Sequence, residues 1–281
     1  MSDLHAINDA INKRAGRKLV TSILIALILL AIIFSTLAFA PFLFSLVVIL
    51  AFAIATHELI SAYTRSGVAM HHWLIVISNA AIMLTAWFSG TNGVVIASTI
   101  ALFVNLIVVL GSGPEGFAKR SAETAFTILY LGVLPSFIVL LASDSDGFAL
   151  VSMLVIIVAF NDTFAYLTGI LIGKHRMAPT LSPKKSWEGF IGGLIATLAV
   201  SAYAFDALLE KSWWLGLFAG LVAVIAATFG DLIESALKRD FGIKDMSSFL
   251  PGHGGMFDRI DSATLVAPAL WIFLELTKTL S

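Results

Sequence analysis

The chain has 281 residues, 59% of them hydrophobic and only 12% charged, whereas soluble domains carry roughly 25% charged residues. That composition excludes an ordinary soluble globular protein. The 17 basic and 18 acidic residues leave a formal net charge of −1, too little positive charge for a nucleic-acid partner, and the absence of cysteine excludes disulfides, thiolate metal sites and thiol catalysis.

Crossing a bilayer core of about 30 Å takes about 20 apolar residues in a helix. In chain order the sequence predicts nine such spans, at 19–39, 42–56, 73–88, 94–110, 125–142, 148–171, 190–208, 214–229 and 264–280. The expected fold class is all-α, a polytopic membrane protein of about nine helices. Basic residues ahead of an apolar run ending in Ala38-Phe39-Ala40 resemble a secretory signal. The run is longer than a signal's apolar core and Pro41 would directly follow the cut, so an uncleaved first span is expected. The second span is short, and its amphipathic end at His57-Glu58 is consistent with helix continuing into the interface. Glu58 itself reads as an interfacial anchor in preference to a contact with an active site.

Lys and Arg are retained on the cytoplasmic side of a membrane. With the N-terminus cytoplasmic, 15 of the 17 basic residues fall on that side, Lys211 and Lys278 being the exceptions. Nine spans then place the C-terminus outside and leave the longer loops facing the cytoplasm. The loops at 59–72 and 111–124 carry scattered charge without the spacing of metal ligands or nucleophiles.

The sixth span is interrupted by Asn161 and Asp162, followed by Thr163, Tyr166 and Gly169. An ionisable residue at this depth is costly and marks a functional candidate, here in contact with a polar cavity. The next loop, 172–189, contains Lys174-His175-Arg176 and Ser182-Pro183-Lys184-Lys185-Ser186-Trp187-Glu188-Gly189. Ammonium groups, hydroxyls and helix N-terminal amides all suit phosphate oxygens. Juxtamembrane lysines also serve as topology determinants or anionic-lipid contacts, so this loop needs support from elsewhere.

Support comes from the last inside loop, within 230–261, whose segment from Ser235 to Asp261 runs for 27 residues. Asp258 and Asp261, three apart, share one face if the ninth helix begins near them. Asp231 at the end of the eighth span could face them, and Asp258 could equally cap the helix. Three carboxylates without thiolate or paired imidazole suit a hard cation such as Mg²⁺. The turn Pro251-Gly252-His253-Gly254-Gly255 lets backbone approach a ligand closely. Carboxylates, Lys238, Arg239 and Lys244 together have the composition of a nucleoside-triphosphate site.

The segment from Ser235 to Asp261 resembles the signature of the phosphatidate cytidylyltransferases, or CDP-diacylglycerol synthases, of the compact bacterial type. The stretches Asn161-Asp162-Thr163, Gly173-Lys174-His175 and Ser182 to Gly189 are also similar to that family, so the likeness covers most of 161–261. It implies a multi-span enzyme of a bacterial inner membrane with its active site facing the cytoplasm. The implied reaction transfers the cytidylyl group of CTP to phosphatidic acid by Mg²⁺-assisted displacement at the α-phosphate. On this reading 1–150 is an N-terminal membrane region of about five spans and 151–281 the catalytic region. Asp231, Asp258 and Asp261 would hold metal, with room for a second cation. Lys238, Arg239 and Lys244 would hold phosphates, Lys184, Lys185 and Ser186 would complete the clamp, and Asp162 would line the cavity. His253, Gly254, Gly255 and Arg259 belong to the substrate side, and the catalytic residues proper would be Asp231, Asp258, Lys238 and Arg239. The partners implied are CTP, phosphatidic acid, membrane lipid and a second copy of the chain in a homodimer. Two competing functions are an ion-coupled transporter using Asp162 and a CTP-dependent lipid-alcohol kinase, which releases CDP in place of pyrophosphate.

Overall fold

The computed structural model describes residues 19–247, 249 and 254–278, with side-chain surroundings from residue 27 onward. Apolar runs become helices because backbone N–H and C=O groups in lipid have no other partners. Helix α1 (Leu19–Phe39) is followed after one residue by α2 (Pro41–Arg65), where Pro41 occupies a first-turn position that needs no N–H. The α2 helix continues well past the predicted end at residue 56, so Glu58 and Tyr63 are helical.

Helix α3 (His72–Gly111) has 40 residues, which laid straight would reach about 60 Å. It folds back instead. Gly90 takes φ 58° and ψ −147°, a conformation that favours glycine. Asn105 Nδ2 donates to Ser78 Oγ at 2.9 Å, and a ring nitrogen of His71 meets Ser112 Oγ at 2.8 Å. These contacts between residues far apart in sequence make α3 a helical hairpin whose limbs correspond to the predicted spans 73–88 and 94–110.

Helices α4 (Phe117–Ile128) and α5 (Leu134–Ala142) are joined through a π-helical turn, Leu129–Val133. Helix α6 (Gly147–Ile172) leads into an antiparallel pair, β1 (Arg176–Ala178) and β2 (Ser182–Ser186), and the chain ends in α7 (Trp187–Leu209), α8 (Trp213–Asp240) and α9 (Phe257–Thr277). Seven helical runs among the described residues are long and apolar enough to cross a membrane. The chain is a helical multi-pass membrane protein, with one small β-hairpin among the described residues.

Two expectations change. The region 172–189 is a structured hairpin, and 230–261 is not a loop throughout, because α8 runs on to Asp240 and leaves only 241–256 as the connection.

The most extensive packing joins α6 to α7, α7 to α8 and α8 to α9. Lipid removes the hydrophobic drive between helices, so close approach of small residues does this work. A side chain at Gly216 of α8 would collide with the Ser201 carbonyl of α7, and a Cβ at Gly230 would lie 2.5 Å from the Asp261 carbonyl oxygen of α9. Asn79 of α3 ties the N-terminal helices together, donating from Nδ2 to Thr56 Oγ1 at 3.1 Å and to the Thr127 carbonyl at 3.4 Å.

Candidate active site

On one face of α6 the residues Asp162, Ala165, Tyr166, Gly169 and Ile170 recur at helical spacing and form one wall of a cavity of about 590 Å³. Asn161 Nδ2 donates to Asp162 Oδ1 at 3.1 Å, and the Asp162 side chain is exposed to the cavity.

The β-hairpin covers a second wall with Arg176, Lys184 and Lys185. Its position is set from α7. Glu188 in the first turn accepts the backbone N–H of Lys174 at 3.1 Å and of His175 at 3.2 Å, and meets the His175 ring at 2.6 Å. Ser186 is the N-cap, its Oγ accepting the Gly189 N–H at 3.1 Å, and it also lines the cavity, with its O–H still able to donate. Lys185 Nζ reaches across to Asp231 Oδ2 at 2.6 Å, while Lys184 is exposed.

Helices α8 and α9 supply the third wall with Asp231, Asp258 and Asp261. Asp231 Oδ1 accepts from Ser262 Oγ at 2.6 Å. Lys238 is bound between Glu234 at 2.6 Å and Asp258 Oδ1 at 3.0 Å. The other Asp258 oxygen accepts the N–H of Gly255 at 2.7 Å and of Met246 at 3.2 Å, so Asp258 both faces the cavity and holds the loop ahead of α9. Asp261 Oδ1 accepts the Ser262 N–H at 2.9 Å, and Asp162, Asp231 and Asp261 lie within electrostatic reach of one another.

Other candidates sit elsewhere. Arg239 Nε donates to the Leu181 carbonyl at 3.2 Å, tethering the hairpin to the end of α8, and Arg239 does not line the cavity. Lys244 is exposed on the connection and is also outside the lining. Arg259 is exposed on α9 within electrostatic reach of Asp162. His253 lies outside the described residues. Gly254 takes φ 85°, and the Gly255 N–H is already used by Asp258.

Three residues were missed by sequence reasoning. Arg176 lines the cavity, for which its basic character was the only signal. Glu234 is 3% exposed and pairs with Lys238, an i,i+4 spacing that becomes visible once α8 is extended. Glu58 is no interfacial anchor. It is 4% exposed and accepts hydrogen bonds from Ser247 Oγ at 2.6 Å, Met256 N–H at 3.0 Å and Phe257 N–H at 2.9 Å.

Among the described residues, no three His, Asp or Glu side chains converge closely enough to hold a metal ion as they stand. Asp231 and Asp258 spend their oxygens on Lys185, Ser262, Lys238 and backbone N–H groups. In donor type, however, four cavity carboxylates without thiolate or imidazole fit a hard divalent cation.

A cavity with acidic and basic walls, opening beside the exposed apolar side chains of Tyr166 and Ile170, suits an enzyme that handles phosphates at a membrane surface. The chain belongs to the cytidylyltransferase family, whose model matches residues 20–277. Among its relatives, it is similar to the phosphatidate cytidylyltransferase of Mycobacterium bovis, 33% identical over 276 residues that span 94% of this chain and 90% of that protein. The phosphatidate cytidylyltransferase of Mycobacterium leprae is 31% identical over 279 residues, 94% of this chain and 89% of the relative. That of Staphylococcus haemolyticus is 41% identical over 155 residues, 55% of this chain and 59% of the relative.

Proposed function

We propose that this chain is a phosphatidate cytidylyltransferase, joining CTP and phosphatidic acid to give CDP-diacylglycerol and pyrophosphate. The observation that carries the proposal is the single cavity in which Asp162, Asp231, Asp258 and Asp261 face Arg176, Lys184 and Lys185 beside an apolar wall. One side suits a water-soluble triphosphate and the other a lipid whose chains stay in the bilayer.

A phosphomonoester with a second pKa of about 6 is largely dianionic at neutral pH, so the attacking oxygen needs no protein base. Its oxygen forms the new bond to the α-phosphorus while the bond from that phosphorus to the bridging oxygen breaks, and the electron pair leaves with pyrophosphate. The obstacle is repulsion between two polyanions. Lys184, Lys185 and Arg176 lower it by placing positive charge on the reacting oxygens. Asp231, with Asp258 and Asp261, would hold Mg²⁺, which when bound neutralises charge on the triphosphate and the leaving group. Lys185, paired with Asp231 on the cavity wall, has its ammonium where a phosphate oxygen of the substrate would meet it.

The same proposal has nine crossings of a bacterial inner membrane, with the N-terminus and the active site cytoplasmic. The fold-back of α3 at Gly90 and the 15 of 17 basic residues on the inner side support it. The homodimer rests on the family resemblance alone.

The test is pyrophosphate release by purified protein given CTP and Mg²⁺. Release that depends on added phosphatidic acid and stops on chelation is the expected result. Release of CDP in place of pyrophosphate would assign the kinase reaction instead.

A further inference from the structure

Glu58 lies near the C-terminal end of α2, 198 residues before its partner Met256. Its carboxylate is buried against the start of α9, where the first N–H groups of a helix have no partner within the helix. Oε1 accepts from Ser247 Oγ and from the Met256 N–H, and Oε2 accepts the Phe257 N–H. A carboxylate there also meets the positive end of the helix dipole. The fit is close, since a Cβ at position 255 would lie 2.7 Å from Oε2, so any side chain there would push the carboxylate from its place.

The same end of α9 is gripped from within by Asp258, whose Oδ2 takes the Gly255 and Met246 N–H groups. The N–H groups of residues 255, 256 and 257 are therefore all engaged by the protein's own carboxylates. They do not form a phosphate cradle: the absence of a side chain at Gly255 admits Glu58, and at Gly254 it admits Asp258. Glu58 does not line the cavity that holds Asp231, Asp258 and Asp261; it borders a separate cleft with His57, Trp73 and Phe249.

We infer that Glu58 is a positioning residue, clamping the start of α9 so that Asp258 and Asp261 are held at the cavity wall without Glu58 touching substrate. The N-terminal helices thereby contribute to the site. The kinetic consequence rests on the cytidylyl-transfer reading, whereas the clamp itself does not. Misplacement of reacting groups by about 1 Å can cost on the order of 100-fold in rate, so a loosened clamp shows in turnover.

The test uses Glu58→Gln in the full chain, purified in detergent. Glutamine keeps the length and one acceptor oxygen but turns an NH₂ toward donors. The clamp predicts a fall in kcat of at least about tenfold with KM for CTP near parental, because Lys184 and Lys185 are untouched. It also predicts amide hydrogen exchange at Met256 and Phe257 faster by at least about tenfold, with α6 and α7 unchanged. Ser247→Ala, which removes one contact only, gives a smaller loss and adds nothing further in the Glu58→Gln background. Parental kcat, unchanged exchange at 256 and 257, or a loss spread evenly over kcat, KM and thermal stability would each overturn the inference. If the parental protein transfers no cytidylyl group, the reaction assignment fails, and hydrogen exchange alone still decides the clamp.

Discussion

Replacing Asp231 with Asn separates the chemistry of the cavity from its architecture. The substitution keeps the volume of the side chain and removes one charge. Asp231 and Lys185 are 25% and 26% exposed, and a solvent-screened pair of this kind is worth no more than about 1 kcal/mol. The Ser262 hydroxyl, which donates to Oδ1, retains an oxygen acceptor in Asn. The thermal midpoint should accordingly fall by only about 2–4 °C. Turnover should respond far more strongly, because loss of one preorganised electrostatic group commonly costs about 100-fold to 1,000-fold. The assay is cytidylyl transfer against Mg²⁺ concentration for parent and mutant, with a melt on the same preparations. Near-parental turnover with the same Mg²⁺ dependence would refute the role of Asp231 in charge neutralisation.

Asp258→Asn should lower stability as well as turnover, because that carboxylate accepts from Lys238 and two backbone N–H groups, and bonds to charged groups are worth about 1.5–3 kcal/mol each. An unchanged melt would show that these contacts carry no weight. Lys185→Ala should raise KM for CTP or phosphatidic acid about tenfold or more, the equivalent of one charge-assisted hydrogen bond, and parental kinetics for both substrates would remove the hairpin from the site. Single cysteines at Ser145 and Glu115 of this cysteine-free chain test orientation: an impermeant thiol reagent on intact cells should label Ser145→Cys and spare Glu115→Cys, and the reverse pattern would invert the topology.

Hydropathy reads the membrane helices well wherever a polar gap separates them. The Ser89-Gly90-Thr91-Asn92-Gly93 stretch divides α3 into two spans although helical hydrogen bonding runs on around Gly90. It fails at the end of α8. Ile233 and Leu237 continue to pack inward while Glu234 and Lys238 intervene, so an average over the window stops at the charges where the helical period does not. Asp162, Asp231, Asp258 and Asp261 were legible because carboxylates in an apolar chain are conspicuous. Their partners were not. Lys185 meets Asp231 across 46 residues, and Glu58 binds main-chain N–H groups across 198 and 199, which no local spacing encodes. The reading of Gly255 shifts for the same reason, since the group that approaches it comes from α2.

The central claim is that the α-phosphorus of CTP becomes part of a lipid. Purified protein with phosphatidic acid and Mg²⁺ should be given CTP labelled on the α-phosphate and, separately, on the γ-phosphate. Cytidylyl transfer predicts that only the α-label enters the organic phase, with the γ-label recovered as pyrophosphate. Entry of the γ-label into lipid, or retention of both labels in unreacted CTP by well-folded protein, would contradict it.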